Sequence, residues 1–286
     1  MLNNAAMRIP RYWARAEGEA PPATDGPERI VVWGWSDDNR VEAQRHAQQR
    51  LTELLDRLRR GLGLPTGYAY GTRPLREEIL EELRDRGGRL DGLLTRNSYG
   101  SVVLNTAQVL FVDVDVPWPT FGQRLARLLG SRKPTPEMTT LSRLRDVLKN
   151  DSGGSYRIYR TAAGFRVLAT DPVFTPGSPE AERLMQALGA DPAFLHLCRI
   201  QGSFRARLTP KPWRCGQANP PGSFPREPEA QAAFAEWLAQ YERSTDGKAT
   251  CRFVEAVGWG RTNEDAGQIV DLHDRRTKAA TDLPLA

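Results

Sequence analysis

Cysteine and histidine are both scarce, with three of each in 286 residues. The cysteines, Cys198, Cys215 and Cys251, are odd in number and widely spaced, which argues against a disulfide framework. His196 and Cys198 offer two zinc ligands, but no second close pair follows, so the thiols read as packed core groups. No run of about 18 apolar residues occurs, so no segment is expected to cross a membrane. The first twenty residues carry Arg8, Arg11, Arg15 and Glu17 in place of the apolar stretch of a secretory signal, and a cytoplasmic location is the expectation. A Walker loop, a dinucleotide-binding glycine fingerprint and the signature of a serine or cysteine nucleophile are also missing.

What remains is ordinary globular material, 40% hydrophobic and 26% charged, enough for a full core. The sequence reads as a single α/β domain over 1–286. Residues 1–90 form an N-terminal part with a strand and helices, 91–215 a candidate catalytic core, and 216–286 a C-terminal α/β extension. Lys and Arg exceed Asp and Glu by 40 to 35, giving a net charge of +5 that suits a polyanionic partner without demanding one. The distribution is more telling. Arg199, Arg205, Arg207, Lys211 and Arg214 fall in a stretch, Cys198 to Pro225, that contains no acidic residue.

Along the chain, residues 17–28 read as a surface loop and 30–35 as a strand. Asn39 with Glu42 is a capping box for a helix whose stripe is Val41, Ala47, Leu51, Leu54, Leu55, Leu58 and Leu62. Pro74 opens a second expected helix, with Glu77 and Glu78 at its dipole-favoured end and Leu75, Ile79, Leu80 and Leu83 as its buried stripe. Three apolar runs follow, 93–96, 101–105 and 109–116, the first two forming a hairpin. Helices are expected at 121–130, 137–150, 178–189 and 229–243. Strands are expected at 156–160, 165–170, 251–257 and 268–272. His273 and Asp274 offer a proton-transfer pair, but a solvated turn is the preferred reading. The Trp33 and Trp35 pair reads as core.

The chemistry concentrates on one strand. In Phe111-Val-Asp-Val-Asp-Val116, alternation puts Asp113 and Asp115 on the same face, about 7 Å apart at Cα. Aspartate is disfavoured in strands, and two such carboxylates repel unless a cation or hydrogen bonds compensate. Mg²⁺ or Mn²⁺, held by one or two carboxylates and substrate phosphates, is the expected compensation; the alternative is a solvated edge strand. The turn Thr161-Ala-Ala-Gly164 lets backbone N–H groups approach an anion, with Arg160 or Arg166 as clamp, though a plain hairpin turn explains it equally well. In the basic segment, Phe204 and Trp213 interleave with Arg205, Arg207 and Lys211, a pattern suited to phosphates and stacked bases.

These three elements, in this order and spacing, resemble the catalytic core of the archaeo-eukaryotic primase (primase-polymerase) superfamily over roughly residues 90–215. Asp113-Val-Asp115 is similar to its first motif. Thr161-Ala-Ala-Gly-Phe-Arg166 sits in the place of its second, with Arg166 or Arg160 where the family has a nucleotide-contacting histidine. Asp191 followed by Arg199-Ile-Gln-Gly-Ser203 and Lys211 resembles the third. The zinc module of many primases has no counterpart. The resemblance implies an α+β fold, a mixed or antiparallel sheet with flanking helices and an RNA-recognition-like core. It implies a metal-dependent nucleotidyltransferase acting on nucleoside triphosphates and nucleic acid. Asp113 and Asp115 would hold Mg²⁺ or Mn²⁺, and Asp191 would complete the shell. Arg160, Thr161, Gly164 and Arg166 would bind triphosphate, and Arg205, Arg207 and Lys211 the nucleotide or template phosphates. A metal-dependent nuclease or phosphodiesterase, a non-catalytic nucleic-acid-binding protein and, more weakly, a sugar-nucleotide transferase remain open. Nothing in the pattern fixes an oligomeric state.

Overall fold

The computed structural model describes residues 7–21, 29–64, 73–85, 87–118, 133–151 and 153–286. Three antiparallel sheets carry the strands. β1 (Tyr12–Glu19) pairs with β2 (Arg29–Ser36). A four-stranded sheet runs in the order β3 (Glu78–Arg84), β4 (Leu90–Arg96), β5 (Val102–Thr106), β9 (Phe204–Arg207). A second runs β10 (Cys251–Gly258), β7 (Ser155–Thr161), β8 (Gly164–Asp171), β6 (Phe111–Asp115). The helices are α1 (Arg40–Arg59), α2 (Pro136–Asn150), α3 (Pro179–Leu188), α4 (Pro192–Gln201), α5 (Pro228–Thr245) and α6 (Glu264–Thr277). The fold is therefore mixed α/β with antiparallel sheets and flanking helices, as expected. The expected helix at 121–130 lies outside the described residues.

The N-terminal hairpin packs on α1. Asn39 caps that helix by accepting from the Glu42 amide at 2.9 Å, as the capping pattern requires. Ala16, Ile30, Val32, Ala47, Leu51 and Leu58 form the small core between them. Strand and helix meet at Gly34, where a Cβ would lie 2.2 Å from the Ala47 nitrogen. Only glycine permits so close a backbone approach. Trp33 and Trp35, expected in the core, are half-buried.

A single large core joins both four-stranded sheets to the later helices. It contains Leu104, Phe111, Val112, Val114, Leu144, Leu148, Val167, Leu188, Phe204 and Ile269, all buried. By alternation, Val112 and Val114 point to one face of β6 while Phe111, Asp113 and Asp115 share the other.

Three local expectations need correction. Residues 17–28 do not begin a loop, because β1 runs on to Glu19. Residues 78–84 form strand β3 rather than a helix. Leu83 is the only buried member of the expected stripe, and pairing with β4, from Glu78 opposite Arg96 to Arg84 opposite Leu90, overrides the local propensity. Two register irregularities in that pairing blurred the period-2 pattern. Residues 268–272 lie in helix α6, whose buried positions Ala266, Ile269, Val270, His273 and Thr277 follow helical spacing, with Asn263 as cap. The adjacent pair Ile269 and Val270 gave the stretch a strand-like look.

Candidate functional site

The acidic strand lies at the seam between the two four-stranded sheets. β6 is the edge of one sheet and β9 the edge of the other. On β6, Asp113 faces Arg166 of β8 across the ladder, and Asp115 faces Gly164. Arg166 is wholly buried and grips Asp113 with two parallel bonds, Nε to Oδ1 at 2.6 Å and Nη2 to Oδ2 at 2.8 Å. Such a fork-to-fork pair is both strong and geometrically fixed. The remaining nitrogen of Arg166 donates to the Arg207 carbonyl at 2.9 Å, which ties β8 to β9. Burial alone would raise the Asp113 carboxyl, but the charge and hydrogen bonds of Arg166, with Arg207 adding, hold it below the usual range.

Arg166 was expected to clamp a triphosphate. Its guanidinium is instead sealed under Asp113 and spent on it, so that expectation is corrected. The same holds for Arg205, which faces inward. Its guanidinium binds both oxygens of Glu77 at 2.7 and 3.0 Å, Asn105 at 2.7 Å and Gln201 at 2.9 Å, with 8% of the side chain exposed. Phe204, expected as a stacking residue, is fully buried. Thr161 and Gly164 are explained by the hairpin itself. The Gly164 amide donates to Thr161 Oγ1 at 3.0 Å, and a Cβ on Gly164 would lie 2.0 Å from the Val114 carbonyl oxygen. Asp191 caps α4 by accepting from the Ala193 amide at 2.7 Å. Among the described residues no three of His, Cys, Asp and Glu gather to hold a metal.

The remaining expected residues do come together. Asp115 is exposed and, among the described residues, its side chain makes no hydrogen bond or ion pair. Asp113 keeps 46% of its side chain exposed despite its bond to Arg166. Lys211 is half-buried beside them. Burial first, then Arg207 and Arg214, hold its pKa below the usual lysine range, while Asp115 and Asp113 act in the opposite sense. Burial likewise lowers the Arg207 pKa, with Asp113 opposing and Arg166 and Arg214 reinforcing the shift, and among the described residues its Nε has no hydrogen-bond partner. Trp213 is 49% exposed, lies 5.3 Å from the Lys211 ammonium, and meets Tyr99 edge-on at 5.2 Å. A cleft of about 520 Å³ opens from the end of β6, lined by Val116, Trp118, Glu137, Arg160, Ala163 and Arg214. Arg160 lines it while bonded to Glu137 at 2.7 Å.

Sequence reasoning gave no site role to Arg214, although it stood in the acid-free stretch. It also misread His273, which is not in a solvated turn but fully buried in α6. His273 Nδ1 contacts Asp274 at 2.9 Å, its Nε2 lies 3.3 Å from Arg166, and its ring packs on Phe111 and Tyr159. It thus stands behind Arg166, which in turn positions Asp113.

Burial pushes the His273 pKa down from 6.5 to about 4, with Arg166 contributing and Asp274 opposing. The unfolded chain therefore takes up a proton that the folded chain refuses as pH falls from 6.5 to 4. Stability from this group is full above that window and declines through it by about 3 kcal/mol. Asp113 and Asp274, both held below the usual carboxylate range, extend the loss at lower pH. Thermal melts at stepped pH should show the decline in wild type and a shallower one in His273→Gln. Parallel curves would refute the assignment.

No protein-family model matches the chain, and neither the curated proteins nor the solved structures searched yield a match.

Proposed function

We propose that the seam between β6 and β9 binds a nucleoside triphosphate with one divalent cation and transfers its nucleotidyl group to a nucleic-acid strand. The observation that carries the reading is the placement of two exposed, same-face carboxylates beside Arg207, Lys211 and Arg214, next to a cleft of nucleotide size.

The donor set fits one ion and not a three-carboxylate shell. Among the described residues the Asp115 side chain has no hydrogen bond or ion pair, and each oxygen of Asp113 keeps a lone pair beyond its bond to Arg166. Mg²⁺ or Mn²⁺ would be held by Asp113 and Asp115 together with substrate phosphate. When bound, it supplies charge neutralisation at the phosphates. The chain's own residues do the rest. Arg166 fixes the rotamer of Asp113. Lys211, Arg207 and Arg214 place positive charge where a triphosphate would lie, and the desolvation of Lys211 and Arg207 strengthens their pull on it. Trp213, braced by Tyr99, offers a face for a base. In the reaction a strand 3′-hydroxyl gives up its proton to solvent and attacks the α-phosphorus, a P–O bond forms, and pyrophosphate leaves with its bond to the α-phosphorus broken.

Incubation with Mn²⁺, labelled nucleoside triphosphates and a primed single-stranded template should give extended strands and pyrophosphate. Lys211→Ala should lower the rate by about 100-fold. Strand shortening without any need for triphosphates would favour a phosphodiesterase instead.

A second reading draws on the Asp113–Arg166 pair, because a carboxylate already neutralised by arginine does not require a metal. On that reading the seam only binds nucleic acid. It predicts affinity that falls steeply with salt and is indifferent to EDTA.

A further inference from the structure

A second basic pocket lies on the other sheet, away from the acidic strand. It is a recess of about 210 Å³ whose lining includes Arg76, Arg96, Asn97, Ser98, Ser223 and Arg226. Arg96 and Arg226 are set deep, with 10% and 5% of their side chains exposed. Both lie over the Phe234 ring, Arg226 at 3.2 Å and Arg96 at 6.0 Å. Arg76 stacks on Trp33 at 4.0 Å and donates to Ser223 Oγ at 3.1 Å. Three guanidiniums thus converge on one small space.

Their compensation is incomplete. Glu77 lines the recess but is committed to Arg205 and Thr95. Among the described residues Glu78 is the uncommitted carboxylate that faces the arginines, at 3.5 Å from Arg226 and 3.8 Å from Arg96, too far for good hydrogen bonds, while Arg96 Nη1 donates to the Gly100 carbonyl at 3.0 Å. The Nε atoms of Arg96 and Arg226 and one oxygen of Glu78 have no hydrogen-bond partner. Buried polar groups are normally satisfied, so an unmet cluster of this kind calls for an ion. One carboxylate among three arginines leaves positive charge over, and burying unbalanced charge is unfavourable.

We infer that this pocket binds a phosphate group. Arginine forks match phosphate oxygens in pairs, and stacking on Trp33 and Phe234 holds two of the forks in place. The volume suits a phosphate rather than a whole nucleotide. The β4–β5 turn connects the pocket to the seam. Asn97 and Ser98 of that turn line the pocket, while Tyr99 of the same turn braces Trp213. The phosphate is either free or the end of a strand that continues toward Trp213.

The test uses inorganic phosphate and two otherwise identical single-stranded oligonucleotides, one with a 5′-phosphate and one with a 5′-hydroxyl. It uses wild type, Arg76→Ala, Arg226→Lys and Asp115→Asn, each checked for folding by circular dichroism. Wild type should bind the phosphorylated strand at least 10-fold more tightly. Arg76→Ala, on the more exposed arginine, and Arg226→Lys should reduce that preference, and Asp115→Asn should leave it intact. The Asp115→Asn arm keeps the pocket separable from the seam. Equal affinity for the two strands, with phosphate raising the melting temperature of wild type but not of Arg76→Ala, would support the pocket with free phosphate as its ligand. Equal affinity with no phosphate response, or a response the arginine variants share, would overturn it.

Discussion

Glu77→Gln is expected to lower the melting temperature by roughly 10 °C, from a loss of about 3–5 kcal/mol. Glu77 and Arg205 are both buried, with 5% and 8% of their side chains exposed. Removing the carboxylate charge leaves the guanidinium without its counter-ion among apolar strands, and desolvation of an unpaired charge dominates the cost. Thr95, which donates to Glu77 at 2.6 Å, and Asn105, which donates to Thr95 at 3.0 Å, lose their ordering as well. The network ties the entry to β3 to β4, β5, β9 and α4. Its loss should loosen the whole sheet rather than one loop. A double variant, Glu77→Gln with Arg205→Met, should lose clearly less than the sum of the single losses, because it removes the orphaned charge. Strict additivity in denaturant melts would show that the pair is not the source of the cost.

The second large effect separates the two aspartates. Asp115→Asn should abolish cation-dependent nucleotide binding and leave stability within about 0.5 kcal/mol, as an exposed, unpaired carboxylate should. Asp113→Asn should also abolish binding, but it removes the counter-ion of the buried Arg166. Because Asp113 is 46% exposed, the cost lies between that of a surface pair and a buried one, at about 2 kcal/mol. Melting curves and nucleotide titrations on the two variants check this directly. If Asp113→Asn proved as stable as wild type, the pairing with Arg166 would not be what holds the strand's charge.

How much of this could be read from the chain follows from sequence distance. The α1 cap, the β4–β5 hairpin and the β7–β8 hairpin are local patterns, and they stood in the sequence with their turn residues. The two aspartates were legible because alternation fixes a common face within five residues. Arg166 was noticed as a cation, but its partner lies 53 positions away, and only the β6–β8 register brings them opposite. Arg205 looked like part of an anion-binding stripe for the same reason, since Glu77 is 128 positions distant and sat in what read as a helix. Local pattern shows that charge is present. It does not show whether that charge is already answered. Arg205 and Arg166 are answered, while Lys211, Arg207 and Arg214 stay grouped with the exposed Asp115.

The proposed function stands or falls on whether the seam takes a nucleotide with a cation. The direct measurement is calorimetric titration of Mn²⁺ with ATP or GTP into wild type and Asp115→Asn. Heat of binding that requires Mn²⁺ in wild type and vanishes in the variant is the predicted result. Nucleotide binding that is unaffected by EDTA and by Asp115→Asn would contradict it, and would leave the seam as a metal-independent phosphate surface.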